Sequence, residues 1–139
     1  MRAALAVIAV AACASSPDAP ATCSEPSPAL AGSGSATADD VRAIVVARCA
    51  LGGCHLSAPG AGDLVLAGSD WPARVVGVPS HEVPSLDLVS PGDPADSWLA
   101  RKIVGDLCAD GGIQMPFGAA LPDADQHTII AWIAAGAPD

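Results

Sequence analysis

Aromatic residues are scarce in this chain of 139 residues, which contains three Trp, one Phe and no Tyr. Hydrophobic residues make up 51% of the sequence, but many of them are alanine, which buries little area. A domain of about 100 residues with so few large side chains forms a thin hydrophobic core. We therefore expect a covalently held cofactor, a bound metal or disulfide bonds to add stability, and the five cysteines supply the means.

Basic residues are also few, with six Lys and Arg against 15 Asp and Glu. One of the six, Arg2, belongs to an N-terminal segment that we expect to be removed, which leaves five against 15. An acidic surface of this kind argues against binding to nucleic acid or to anionic lipid headgroups. It suits a protein partner with a basic surface, and acidity that only keeps the domain soluble is the alternative.

Long hydrophobic runs, strand patterns and the common enzyme motifs are missing as well. The apolar run at residues 3–12 is too short to span a bilayer, and no later segment is longer. We find no nucleophilic triad, phosphate-binding loop or dinucleotide fingerprint. The sequence therefore predicts an all-α protein that is not an enzyme.

The N-terminus predicts export, because Arg2 precedes this apolar run as in a secretory signal peptide of residues 1–12. The sequence VAAC, ending at Cys13, resembles a bacterial lipoprotein box. That resemblance implies lipidation of Cys13 and a membrane anchor facing the periplasm or the cell surface. An ordinary signal peptide, cleaved near Ala14 or Ser16, is the alternative.

Residues 13–36 are rich in Pro, Ser, Ala and Gly, and we interpret them as the lipidated N-terminus followed by a flexible linker outside the core. The domain proper then spans residues 37–139. Helices are expected from Thr37, paired with Asp40 in a capping box, to the first cysteine motif, from Asp93 to Gly105, and from Pro122 to Gly136. A short helix is expected near residues 71–76. The predicted buried faces are Val41, Ile44, Val45 and Cys49; Trp98, Leu99 and Ile103; and Ile129, Ile130, Trp132 and Ile133.

The stretch RCALGGCHL, residues 48–56, places His55 directly after Cys54, with Cys49 five positions before Cys54. Covalent haem attachment usually has the spacing C-x-x-C-H, in which two thiols bind the vinyl groups and the imidazole binds iron. In a continuous helix the wider spacing would point the two cysteines about 140° apart. Gly52 and Gly53 can break the helix between them, so the geometry permits haem without demanding it.

Two other chemistries suit the same cysteines. In an exported domain they can form a structural disulfide with each other, or with Cys23 or Cys108. They can also bind zinc if Cys108 or His81 supplies further ligands, although neither has a zinc-like local spacing. If Cys49 and Cys54 hold haem, Cys23 and Cys108 either pair or stay free.

A single methionine remains after loss of the signal peptide. Met115 precedes Pro116 in a Gly-rich loop before the last helix, where core-filling methionines are uncommon. A thioether is a frequent distal ligand of electron-transfer haems and raises their reduction potential.

Several ordered segments resemble class I c-type cytochrome domains, and more narrowly the single-haem domains of bacterial lipoproteins. PGDPADSWL at 91–99, MP at 115–116 and WIAAGA at 132–137 follow the Cys-His motif in the order found in that family. The departure is the C-x4-C spacing. The resemblance implies three or more helices around one covalent haem c, with thioether bonds to Cys49 and Cys54. It also implies that His55 is the proximal ligand and Met115 the distal ligand.

The resulting hypothesis is an exported, lipid-anchored, single-haem electron carrier with redox protein partners. The alternative from another class is a haem-free lipoprotein module on the same scaffold, with Cys49 and Cys54 in a structural disulfide. A haem enzyme or gas sensor with an open sixth position is a third reading. His81 and His127 are interpreted as surface residues, with a role of His81 as a rival distal ligand as the alternative. The acidic residues Asp87, Asp93 and Asp96 are interpreted as turn and cap residues.

Overall fold

The computed structural model describes residue 23, residues 25–109 and residues 111–139. This part contains three α-helices, numbered in chain order as α1 Ala38–Arg48, α2 Trp98–Val104 and α3 Asp123–Ala134. Short 3₁₀ helices occupy Pro28–Leu30, Ala61–Asp63 and Trp71–Arg74. Within the described ranges there is no β-strand beyond isolated bridges, so the expected all-α class is confirmed. The predicted signal peptide and Cys13 lie outside the described residues, and no described helix is long and apolar enough to cross a membrane.

Helix α1 begins where the sequence predicts. The amide of Asp40 donates to Thr37 Oγ1 over 3.2 Å, and the amide of Thr37 donates to the Asp40 carboxylate over 2.9 Å. This capping box satisfies two amides that the helix itself leaves without partners. Val41 and Val45 are buried, and the helix ends one residue before Cys49. The buried side of α1 therefore leads directly into the Cys-His motif.

Helix α2 is shorter than predicted. The expected start at Asp93, with Pro94 in the first turn, is wrong, because the helix begins at Trp98. Ser97 is completely buried, donates a hydrogen bond to the Asp93 carbonyl (2.7 Å) and accepts one from the Ser90 amide (2.8 Å). These bonds hold the preceding residues in a turn, so the helix cannot extend back to the proline.

The predicted helix ends are confirmed. Gly105 closes α2 with φ 80°, and Gly136 follows α3 with φ 97°, both in the left-handed region that favours glycine. Beyond Gly136, the amide of Ala137 donates to the Trp132 carbonyl over 2.9 Å. Helix α3 therefore ends in a Schellman motif, which satisfies carbonyls in its last turn.

The hydrophobic core surrounds two tryptophans. The rings of Trp71 and Trp132 lie 5.2 Å apart between centroids, and both side chains are almost completely buried. The short helix expected near residues 71–76 is present as the 3₁₀ helix that begins at Trp71. Helix α3 packs against both α1 and α2, and its predicted core positions are all buried: Ile129, Ile130, Trp132 and Ile133.

The segment before α1 is packed against the domain. Cys23 forms a disulfide with Cys108, 85 positions later in the chain. In the 3₁₀ helix Pro28–Leu30, the side chain of Leu30 is only 3% exposed and belongs to the main core. This packing corrects the expectation that all of residues 13–36 lie outside the core. The other domain limits stay a prediction.

Candidate functional site

The chain leaves the helical path between Cys49 and His55. The amide of Cys54 donates to the Leu51 carbonyl (3.0 Å), and the amide of His55 donates to the Cys49 carbonyl (3.2 Å). Of the two glycines between the cysteines, Gly53 has φ 79°, a value that other residues adopt only with strain. The break that the wide cysteine spacing requires is therefore present, and it brings the three motif residues into one short loop.

The imidazole of His55 is oriented by the backbone of the next segment. Its Nδ1 lies 2.9 Å from the Leu64 carbonyl oxygen, and the ring is half-buried. A carbonyl oxygen can only accept a hydrogen bond, so Nδ1 is the donor, and the neutral form of the ring with this bond has its lone pair on Nε2. Metal-binding histidines characteristically make this bond, which sets the tautomer and the ring orientation. In this tautomer Nε2 is the ring nitrogen that could bind a metal.

The two motif cysteines are free thiols in this structure. Cys54 is exposed, whereas Cys49 is half-buried at the end of α1. Burial, together with the neighbouring Cys54, raises the pKa of the Cys49 thiol to about 11. At neutral pH the Cys49 side chain is therefore a neutral thiol.

Met115 lies on a separate loop, between α2 and α3, and is half-buried. Its amide donates to the Lys102 carbonyl over 2.9 Å. The side-chain amide of the preceding Gln114 donates to the Ile103 carbonyl over 3.0 Å. The backbone at Met115 is therefore attached to the C-terminal end of α2.

A groove of about 210 Å³ connects the two loops. Leu51 lines one side and belongs to the loop from Cys49 to His55, called the Cys-His loop below. Pro116 and Phe117, which follow Met115, line the other side. Residues next to both sequence motifs thus line this one groove. It does not itself contain His55 or Met115 in its lining.

The exposed large hydrophobic side chains of the described residues are confined to the same two loops and the end of α1. Their exposed fractions run from 46% to 80%, and Phe117 is the most exposed. The set is Val46, Leu51 and Leu56, around the Cys-His motif, and Ile113 and Phe117, around Met115. Singly exposed apolar residues are common on protein surfaces, and these five all lie in or beside the segments that contain the Cys-His motif and Met115.

The zinc alternative loses one of its candidate ligands, because Cys108 is bonded to Cys23. In the part of the chain that the structure describes, no group of three or more His, Cys, Asp or Glu side chains is placed to hold a metal ion. His81 and His127 are both exposed, as expected for surface residues.

The sequence interpretation missed a polar cluster beneath the Met115 loop. Lys102 is buried and lies 2.7 Å from the carboxylate of Glu82. The indole Nε1 of Trp98 donates to the same carboxylate over 2.9 Å. The available signal was the spacing of four between Trp98 and Lys102, which places a cation on the buried face of α2.

No protein-family model matches this chain, and searches of curated proteins and of solved structures found no significant match.

Proposed function

We propose that this chain is an exported, single-haem c-type electron carrier, with a fold of the cytochrome c kind. Its haem is bound by thioether bonds to Cys49 and Cys54, with His55 as the proximal ligand and Met115 as the distal ligand. The protein acts by electron transfer to redox protein partners and not as an enzyme. Lipid on Cys13 anchors it to a membrane on the periplasmic or outer side.

The proposal rests mainly on the hydrogen bond that orients the His55 ring. Its Nδ1 donates to the Leu64 carbonyl, so Nε2 is the nitrogen left to bind iron. The ring lies immediately after Cys54 in a loop that also contains the second free thiol, Cys49. Two thiols and one oriented imidazole in a single loop are the protein groups that covalent haem attachment requires.

Haem attachment and ligation would require mainly that the two thiols, the imidazole and the thioether are correctly positioned. Each thiol, Cys49 and Cys54, would add its S–H across one vinyl group, which needs no external oxidant. A bound haem would supply a one-electron Fe(III)/Fe(II) couple. His55 and Met115 would hold the iron and tune its potential, and the surrounding apolar side chains would limit the access of water.

The exposed apolar side chains support a flat hydrophobic occupant. Leu51 and Leu56 flank the thiols and the imidazole, and Phe117 follows the distal ligand. A macrocycle attached at the Cys-His loop would lie against these side chains and remove apolar area from water, at roughly 25 cal/mol per Å². Haem burial would thus add to the thin core that the composition predicts.

The experiment that tests the proposal is the mass of the denatured mature protein, produced with a periplasmic haem-maturation system. The expected result is a gain of one haem that survives denaturation. His55→Ala should abolish the absorption spectrum of the six-coordinate haem. The matched control His127→Ala changes an exposed histidine and should leave both mass and spectrum unchanged.

An apoprotein mass in the wild type would contradict the proposal. A mass lower by one pair of hydrogens than the fully reduced chain would then indicate the Cys23–Cys108 disulfide alone. A mass lower by two pairs would indicate that Cys49 and Cys54 are also bonded, as in a haem-free lipoprotein module.

A further inference from the structure

The loop that carries Met115 is attached to α2 at three points. The ammonium of Lys102 donates to the Gly111 carbonyl (3.3 Å), at the start of the loop. The Met115 amide donates to the Lys102 carbonyl (2.9 Å), at its end. Between them, Gln114 donates to the Ile103 carbonyl (3.0 Å). The last carbonyls of a helix lack partners within the helix. Here the loop supplies hydrogen-bond donors to two of them, the carbonyls of Lys102 and Ile103.

Lys102 is therefore bonded to both ends of this loop, through its side chain and through its carbonyl. Lys102 is only 8% exposed. Its Nζ lies 2.7 Å from Glu82 Oε2 and 5.4 Å from the centroid of the Trp98 ring. A buried ammonium needs a paired carboxylate, because desolvation without one costs several kcal/mol. Glu82 is that partner, and Trp98 Nε1 holds the carboxylate in place.

The loop backbone lies directly on this cluster. A Cβ added to Gly111 would come within 2.2 Å of the Trp98 ring. One added to Gly112 would lie 2.9 Å from Glu82 Oε1 and 3.3 Å from Lys102 Nζ. Two consecutive glycines thus allow the main chain to approach the ion pair at van der Waals distance.

We propose that Lys102 and Glu82 are positioning residues for Met115, holding its loop so that the thioether is presented to the metal. The consequence of this inference, ligation of the metal by Met115, rests on the proposed function. The contacts that attach the loop to Lys102 and Glu82 do not. The ion pair immobilises Gly111 through Nζ, and the hydrogen bond to the Lys102 carbonyl then fixes Met115 four residues later. Without the ion pair the loop is mobile, so binding of the Met115 thioether must offset the entropy lost when the loop becomes ordered. The affinity of the thioether for the metal is then lower.

The first test uses the haem-loaded mature protein with Lys102→Met, which keeps an unbranched side chain and removes the charge. The mass should still show one covalent haem. The thioether-to-ferric-iron charge-transfer band should lose half or more of its intensity, and the reduction potential should fall. Lys102→Arg, which retains a cation, should restore most of the band.

Arg42→Met is the matched control, since it removes a cation from the exposed pair with Asp39. Its band and potential should equal those of the wild type. Full band intensity and a wild-type potential in Lys102→Met would overturn the inference. If Lys102→Met does not fold, Glu82→Gln tests the same pair, because it weakens the carboxylate partner while keeping the shape of the side chain.

A second measurement separates this inference from the proposed function. In the full-length mature apoprotein, with its disulfide intact, Lys102→Met should speed amide hydrogen exchange at Met115 by about tenfold or more. Exchange at Val45 in the core of α1 should be unchanged. Unchanged exchange at Met115, or an equal increase at both amides, would contradict the positioning role whether or not the wild type binds haem.

Discussion

At the scale of single residues, the chemistry of the candidate site depends on one hydrogen bond. Cysteine and histidine spacing identifies His55 as a ligand candidate, but spacing does not say which ring nitrogen is free. The contact between Nδ1 and the Leu64 carbonyl answers that question for the neutral ring, in which Nε2 is the nitrogen without the proton. The partner lies nine positions away in a loop, so no local pattern predicts it.

Glu82 is one residue whose shifted pKa predicts a pH dependence of stability. Burial alone would raise the pKa of its carboxyl, but hydrogen bonds from Lys102 and Trp98, with the charges of Lys102 and His81, lower it below the usual 4.5. A carboxyl with a lowered folded-state pKa contributes stability above pH 4.5 that is lost as the pH falls through the folded value.

We therefore predict that acidification from neutral pH to about pH 3 destabilises the wild type more than Glu82→Gln, which has no proton to gain. Urea midpoints of the two proteins at both pH values provide the measurement. Glu25→Gln, at an exposed position, serves as the control and should follow the wild type. Parallel acid sensitivity in the wild type and in Glu82→Gln would show that the ion pair does not contribute.

At the scale of elements, the disulfide attaches the N-terminal segment to the loop that follows α2. Cys108 lies in a small buried cluster with Val83 and Trp98, so the bridge adjoins the ion pair beneath Met115. The amide of Ser27 adds a hydrogen bond to the Asp106 carboxylate over 2.8 Å. These contacts make Cys23 and residues 27–30 part of the domain instead of a free linker.

Loss of this bridge should be costly, because it closes a loop of 85 positions in the unfolded chain. We predict that Cys23→Ser with Cys108→Ser lowers the free energy of unfolding by about 2–4 kcal/mol, as measured by urea denaturation of the apoprotein.

Cys49→Ser with Cys54→Ser is the matched control, because it changes two cysteines that are free thiols. This control should cost clearly less than the bridge variant. Equal losses in the two double variants would mean that the disulfide does not stabilise the fold.

At the scale of the whole molecule, the distribution of charge favours a basic partner. Each Lys and Arg in the described part of the chain lies within 4.0 Å of a carboxylate: Arg42, Arg48, Arg74, Arg101 and Lys102. The cations are therefore locally neutralised, and the excess of acidic residues determines the field around the protein.

Under the proposed function, we predict that electron exchange of the haem-loaded protein with a basic single-haem carrier slows as salt rises, by about tenfold between low and physiological ionic strength. Stopped-flow rates across a salt series give the measurement. An acidic carrier of similar potential is the control, and its rate should rise with salt, because screening weakens repulsion. A flat salt dependence with the basic carrier would contradict electrostatic steering.

Local chemistry determined much of this protein. The capping box at Thr37, the glycine end at Gly105, the buried face of α3 and the break within the Cys-His loop all follow from residues adjacent in sequence. Each depends on interactions that span a turn or two, which a sequence pattern records directly.

Only the tertiary structure decided the rest, because it depends on groups far apart in the chain. The pairing of Cys23 with Cys108 spans 85 positions, and the ion pair of Lys102 with Glu82 spans 20. The late start of α2 follows from the buried hydrogen bonds of Ser97, which override the helix signal of the proline before it. Such contacts are selected by packing, and packing has no signature in the local order of residues.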